Sequence, residues 1–421
     1  MPSMPVLHFE QGTVVSLGGS GENGRNCFLY RAPRGTLLLD CGVKRELNNP
    51  AGIYPALDAD VVSEIDGVLL THCHEDHSAA LPLLYALGYT GSIYASPETI
   101  AATPKMIRKW MAYCSAHDVP LPFDEGHVQA IRFVPLLQGM NQVMDFQVLA
   151  GRSGHTAGSF WYAVGWENQA PWPLFYSGDM CLCSATLAVD MPPRCQAAVL
   201  NCAYASSALN QAEQYAALHQ IARDTLARGG HLLLPVPAQG RGCDMLLDLA
   251  RCLPDAPLYA EESILHSCKA LMLQRDWIRT DMADEACLAG VRPISTFAQR
   301  NEACQAPCGI YFTTDGMLTT SEGQEYLAHF LHDAANAVVI SGHAAAGTPA
   351  AQLLDSDWRE QHNALIQAYR SVIKVHLDDA DALDMCRRLG TAQVMLFHAP
   401  QEKCTTLYQQ IEQGFSVQNG E

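Results

Sequence analysis

Along the first third of the chain, apolar positions come in short runs closed by turn signals. VVSLGG (14–19), CFLYRA (27–32) and GTLLLDCG (35–42) read as strands parted by Gly-rich turns. DGVLLTH (66–72) predicts a further buried strand, ending where His and Asp begin to cluster. ALPLLYALG (80–88) has helical character and GSIYAS (91–96) returns to strand. Residues 129–164 predict more strands, among them QVLAG (147–151) and SFWYAVG (159–165), and PLFYSGD (173–179) is a strand ending on aspartate. From about residue 205 the rhythm changes. The Ala-rich stretch at 211–230 predicts a helix closed by a Gly pair, then HLLLPVPAQGRG (231–242) gives strand and loop and CDMLLDLARCL (243–253) a helix. GIYFTTDG (309–316), QEYLAHFLHDA (324–334) and AVVISGH (337–343) continue this alternation, which predicts a second α/β unit. The last fifty residues predict two short strands, VIKVHL (372–377) and AQVMLFH (392–398), around the helix DALDMCRRLG (381–390). No internal repeat or low-complexity linker interrupts the pattern.

Composition narrows the class. At 421 residues, the chain has room for two or three domains, and 48% hydrophobic content excludes a largely disordered acidic chain. Lys+Arg number 26 against 44 Asp+Glu, for a net charge of -18, which excludes a basic nucleic-acid coat or a polybasic membrane anchor. The acidity is spread along the chain: residues 205–370 carry 11 Lys+Arg against 19 Asp+Glu. No apolar run approaches the ~20 residues of a membrane helix, and the N-terminus lacks the pattern of a secretory signal. With sixteen scattered cysteines, the expectation is a cytoplasmic protein with reduced thiols and no membrane partner. Cys181, Cys183, Cys304 and Cys308 lack partner pairs at structural-zinc spacing, and Lys105, Arg108 and Lys109 read as one solvated helix face.

The strongest chemical signal is Thr71-His72-Cys73-His74-Glu75-Asp76-His77. An H-x-H-x-D-H cluster after an apolar strand puts three imidazoles and a carboxylate on one tight loop, a donor set suited to zinc-like cations. A lone His at a strand end is ordinarily structural. Four such residues in six positions are not, because burying that polarity without a metal is costly. Two adjacent ions need more donors than one loop offers, and His155, Asp179 and His398 each end or follow a predicted strand. Asp40, at another strand end, suits a carboxylate that orients a ligand imidazole from behind.

The cluster, together with Asp40, His155 and Asp179, resembles the metallo-β-lactamase fold. SLGGSGENGRNCFLY followed by LLLDCGV is similar to the opening of its β-CASP ribonuclease branch, which includes the endonuclease subunit of the cleavage and polyadenylation specificity factor. GGHLLLPVPAQGRGCDMLL and FTTDGMLTTSEG…VVISGHAAAGT resemble that branch's second domain, KVHLDD its motif B and LFHAP its motif C. The resemblance implies an α/β protein. A metallo-β-lactamase αββα sandwich (1–204 and 371–421) would carry an inserted α/β β-CASP domain (205–370) that closes the active site. It also implies a minimal member, since the chain ends soon after His398. Of two zinc ions, or manganese in their place, one would take His72, His74 and His155 and the other Asp76, His77 and His398, with Asp179 bridging. His376 would be the general acid on the leaving 3′ oxygen, giving 5′-phosphate and 3′-hydroxyl ends. A His at motif C implies RNA as substrate, in RNA processing or decay.

One departure stands out. Motif A, which in the branch carries an acid paired with the motif B histidine, here offers Asn201 in AAVLNCAYA. Asn201 is expected to accept a hydrogen bond from His376 while supplying no charge, so that activity survives but depends less on imidazolium. Arg241 after Gly240, with Thr314 and Thr348, matches phosphate-contacting positions, and Asp315 stands where the branch often has Pro. The acidic balance predicts that RNA arrives short or delivered by a partner, and leaves a homodimer or a processing-complex partner open. Two rival readings are a metal-dependent hydrolase of a small phosphodiester and a catalytically silent RNA-processing subunit.

Overall fold

A computed structural model describes residues 4–46, 49–167, 169–207, 209–282 and 284–418. The chain divides into two compact units. The first comprises residues 1–182, 188–208 and 376–421, the second residues 183–187 and 209–375. No described helix is long and apolar enough to cross a membrane.

In the first unit, the early apolar runs form one sheet in simple chain order: Val6–Phe9, Gly12–Gly18, Cys27–Ala32, Gly35–Leu39, Gly67–Leu69, Ile93–Ala95 and Phe133–Pro135. The first four pair antiparallel through short connections. The later ones run parallel, which requires crossovers long enough to hold helices. Period-two alternation sends Cys27, Leu29, Leu38, Val68 and Ile93 to one face, where they pack with Ile107 and Trp110 of helix Pro97–Ala116. Phe28 and Tyr30 point the other way and meet a second sheet: ring centroids lie 5.8 Å apart for Phe28–Tyr176, 5.2 Å for Phe28–Phe397 and 6.3 Å for Tyr30–Phe146.

That second sheet runs in the order Val394–Phe397, Cys195–Asn201, Trp172–Tyr176, Phe160–Gly165, Phe146–Arg152, Gly139–Val143. Its outer face (Trp161, Ala163, Phe175, Ala198, Leu200) is covered by Met385 and Leu389 of helix Asp379–Leu389 and by Leu407 and Ile411 of helix Gln401–Gln418. The unit is therefore helix, sheet, sheet, helix, the αββα sandwich of the metallo-β-lactamase fold. The loops that carry the His and Asp signals leave the C-terminal ends of strands Gly35–Leu39, Gly67–Leu69, Trp172–Tyr176, Cys195–Asn201 and Val394–Phe397.

The second unit is built on an all-parallel sheet: Arg292–Ile294, Leu258–Glu261, Gly309–Thr313, His231–Pro235, Ala337–Ile340, Gln367–Arg370. Such a sheet is buried on both faces, which is why LLL, IYF and VVI read as unbroken apolar runs. Leu232, Leu234 and Phe312 pack with Leu218, Met245 and Ile264 on one side. Leu233, Tyr311 and Val338 pack with Tyr326, Phe330 and Leu353 on the other.

VIKVHL (372–377) is not a strand. The edge position beside Ala337–Ile340 is taken by Gln367–Arg370 in parallel register. After it, the chain peels off irregularly, its amides satisfied one at a time: Ile373 N donates to Ser341 O (3.0 Å) and Lys374 N to Gln211 Oε1 (3.0 Å). Its apolar residues at 373 and 377 are buried, so the alternation signalled burial rather than sheet pairing.

Candidate metal centre

The centre starts from Asp40. Fully buried and at φ +57°, this residue ends strand Gly35–Leu39 and turns its carboxylate inward. Four donors converge on it: Thr71 N (2.7 Å), the Thr71 hydroxyl (2.7 Å), the Tyr176 hydroxyl (2.6 Å) and His77 Nδ1 (2.6 Å). Asp40 thus holds Nδ1 and turns Nε2 toward the other donors of the cluster. The adjoining backbone binds the loop of the cluster. Cys41 N donates to His77 O (2.8 Å), Val43 N to Glu75 O (3.1 Å) and Asn26 N to Asp76 O (2.9 Å). The approach is so close that a Cβ on Gly42 would lie 1.7 Å from Asp76 O, which explains a glycine there.

The other donors arrive from loops far apart in sequence. His155 follows strand Phe146–Arg152, Asp179 follows Trp172–Tyr176, and His398 follows Val394–Phe397 at φ +66° with its amide on Gly19 O (3.1 Å). Donor atoms of His72, His74, His155 and Asp179 all lie within 4.8 Å of one another, and so do those of Asp76, His77, Asp179 and His398. Asp179 is common to both sets. Its Oδ2 lies 3.7 Å from His72 Nε2, 3.6 Å from His155 Nε2 and 3.7 Å from His398 Nε2, and its Oδ1 lies 3.3 Å from His77 Nε2. His398 Nε2 is 3.2 Å from Asp76 Oδ2, closing the second set.

These residues fit a pair of divalent cations. Five imidazoles and two carboxylates crowd one pocket, and His72 Nε2 is buried with no hydrogen-bond partner, a lone pair with no other use. Burial and the neighbouring imidazoles push His72 well down, and burial with His155 brings His74 to about 4, so both are neutral and ready to ligate. Burial also disfavours charge on His77 and His398, but Asp179 and Asp76 outweigh it, raising His77 well up and His398 to about 9. Asp76 and Asp179 sit below the ordinary carboxylate range despite burial, through His77 and His398.

His376 stands beside this cluster, its Nδ1 3.6 Å from Asp179 Oδ2 and its ring 4.8 Å from that of His155. Asn201 departs from the expected role. Its amide nitrogen lies 2.7 Å from Asp179 Oδ1, and because a carboxylate only accepts, that group must donate. The same nitrogen then faces His376 Nδ1 at 3.5 Å, so Asn201 Oδ1 does not accept from the imidazole. Three contributors were not predicted as site residues, although Asn26 lies within SLGGSGENGRNCFLY and Thr71 opens the His cluster. Asn26 places its amide nitrogen 3.2 Å from Asp76 Oδ2 and 2.8 Å from His77 Nε2, while Thr71 and Tyr176 hold Asp40.

Arg241, Thr314 and Thr348 belong to the second unit. Arg241 opens helix Arg241–Cys252, donates from Nε to Ile373 O (2.7 Å), and lies where a Cβ on Gly342 would meet it at 1.9 Å. Thr348 caps helix Pro349–Leu354, its hydroxyl donating to Ala345 O (2.7 Å). The Thr314 carbonyl accepts from the Thr313 and Thr320 hydroxyls, and Asp315 accepts from Met317 N (2.7 Å) and the Thr319 hydroxyl (2.5 Å).

Residues 20–164 match the Metallo-beta-lactamase superfamily model. The chain is 26% identical over 385 residues to the transcription termination factor FttA of Methanothermobacter thermautotrophicus, covering 85% of this chain and 60% of that protein. It is 26% identical to the probable RNase MJ4 of Methanocaldococcus jannaschii, covering 78% of each. To the endoribonuclease YSH1 of Kluyveromyces lactis it is 22% identical, covering 91% of this chain and 55% of that protein. The chain thus spans about three fifths of the termination factors it matches. A crystal structure of a protein of unknown function from Enterococcus faecalis shares the fold, with a TM-score of 0.59 at 13% identity over 94% of this chain and 96% of that one.

Proposed function

We propose, from the premise that this chain carries a metallo-β-lactamase superfamily domain of the β-CASP ribonuclease branch, that it hydrolyses RNA phosphodiester bonds with two zinc ions, or manganese in their place, leaving 5′-phosphate and 3′-hydroxyl ends. The observation that carries the reading is Asp179, shared between two convergent donor sets, the second closed by His398 against Asp76. His72, His74 and His155 would hold one ion and Asp76, His77 and His398 the other. When bound, the ions supply charge neutralisation and an acidified water.

The chain's own residues do the rest. Asp40 holds His77 Nδ1 and turns Nε2 toward the other donors. Asn201 and Asn26 orient Asp179 and Asp76 by donating to them. His376 delivers a proton to the leaving 3′ oxygen. Burial pushes that imidazole well down, and the negative charge of an entering phosphodiester restores its affinity for the proton. Arg241, with Thr314 and Thr348, is the candidate phosphate contact, although the helix cap leaves Thr348 the weakest of the three. Sixteen thiols suit a reducing cytoplasm. We take the role to be RNA processing or decay, with RNA short or handed over by a partner; relatives named as a transcription termination factor, a probable RNase and an endoribonuclease support an RNA substrate.

The test is digestion of matched RNA and DNA, labelled at the 5′ end or internally, by wild type and His74→Ala. RNA should be cut in preference to DNA, with products that accept phosphatase at the 5′ end. His74→Ala should lose roughly 100-fold or more, beyond the loss typical of residues behind the ligands. A variant as active as wild type overturns the metal reading, and preferential DNA cleavage overturns the substrate.

A further inference from the structure

Helices Gln211–Ala227 and Arg241–Cys252 of the second unit share one core, Leu218 and Ala222 of the first packing with Met245, Leu246 and Leu249 of the second. Away from that core three side chains of metal-ligating type converge. His219 Nε2 lies 2.5 Å from Asp248 Oδ2, and Cys252 Sγ lies 4.0 Å from Asp248 Oδ1. All three donor atoms are within 4.8 Å of one another. Asp248 and Cys252 are one turn apart, so the same helix face presents both, and His219 reaches across from its neighbour.

We propose that His219, Asp248 and Cys252 form a binding site for a zinc-class divalent cation, with water as fourth ligand. The donor set is the first argument. Imidazole, carboxylate and thiolate together favour a borderline-soft ion over magnesium or calcium. Geometry is the second. Bonds of about 2.0–2.3 Å place tetrahedral ligand atoms roughly 3.3–3.8 Å apart, so the His219–Asp248 contact must open by about 1 Å while the sulfur already has room. Electrostatics is the third. Burial and Asp248 push the Cys252 thiol up while Arg223 and Arg251 pull it down, so an ion must displace the thiol proton. Thiolate and carboxylate then sum to two negative charges, and Cys252 is the last residue of its helix, where the unpaired carbonyls favour a cation. Cys252 is exposed, leaving an entry path. Bound there, an ion would clamp the two helices. The plain alternative is a His219–Asp248 hydrogen bond with a thiol nearby, in which Cys252 is dispensable.

The full chain titrated with cobalt(II) separates these readings. Every donor assigned to the first unit's centre is nitrogen or oxygen, so a near-ultraviolet thiolate-to-cobalt band reports on sulfur ligation alone. Once the first unit's centre has taken its ions, the band should saturate with one further equivalent in wild type, and it should also appear in His74→Ala. It should vanish in Cys252→Ser and need at least tenfold more cobalt in His219→Ala. Absence of the band in wild type, or its survival in Cys252→Ser, overturns the proposal. A second measurement needs no loss of the thiol. Zinc should slow alkylation of Cys252, located by peptide mass, at least tenfold in wild type and not in His219→Ala. Unslowed alkylation in wild type also overturns it.

Discussion

Asn201 donates to Asp179 over 2.7 Å and faces the imidazole of His376 with the same nitrogen. A carboxylate at this position would repel Asp179 unless metal neutralised the pair, and would add a negative charge beside His376. The sign for catalysis follows. A general acid must be protonated, so activity falls as pH rises through its pKa, and in the free enzyme, which kcat/KM reports, burial places that fall toward acid pH. Asn201→Asp should move the alkaline limb of the kcat/KM profile upward by about one pH unit, the effect of one nearby charge. An unchanged profile would show that His376 does not act through this contact.

At the scale of elements, the centre depends on how closely the Asp40–Val43 turn lies against helix Glu75–Ser78. Since a Cβ on Gly42 would meet Asp76 O at 1.7 Å, Gly42→Ala must push that helix away. The expected cost is about 2–4 kcal/mol in urea unfolding, with less bound metal per chain. Wild-type metal content in this variant would refute the dependence. Much of this architecture could be read from the chain: the parallel strands as apolar runs, the His cluster by its spacing, the distant His155, Asp179 and His398 as strand ends. Asn26 and Tyr176 could not, because their importance comes from strand pairing that brings remote backbone together, and a Tyr on a strand ordinarily signals only core. VIKVHL misled because buried apolar alternation does not require a ladder partner.

Helix Arg241–Cys252 supplies a second test at this scale. Asp244 is buried, accepts from the Ser184 hydroxyl (3.1 Å), and is pushed up to about 6 by burial. Its folded pKa exceeds the ~3.9 of an unfolded chain, so the folded state keeps a proton that the unfolded state releases. Its contribution to stability is therefore greatest below about pH 4 and declines as pH rises through 6. Asp244→Asn keeps an oxygen for Ser184 and removes the ionisation. The variant's advantage over wild type should grow by about 2–3 kcal/mol between pH 4 and pH 7. A constant difference across that window would remove Asp244 as the cause.

At the scale of the whole molecule, the net charge of -18 is carried by both halves of the sequence, and two divalent ions offset only part of it. Long-range attraction of RNA is correspondingly weak. Fluorescence anisotropy with an arbitrary 30-nucleotide RNA should give a Kd above about 1 µM near physiological salt, with a shallow salt dependence. Tight, steeply salt-sensitive binding would point to a basic track that the composition hides. Connectivity adds a different constraint. The chain passes between the two units four times, because residues 183–187 leave the first unit just beyond Asp179 to join the second. Neither unit is a continuous stretch of polypeptide. A gene fragment for residues 209–375 would encode the parallel sheet without Ser184, and one ending at residue 208 would lack both His376 and His398. Each fragment would therefore lack residues of its own unit, so neither unit is complete without the rest of the chain.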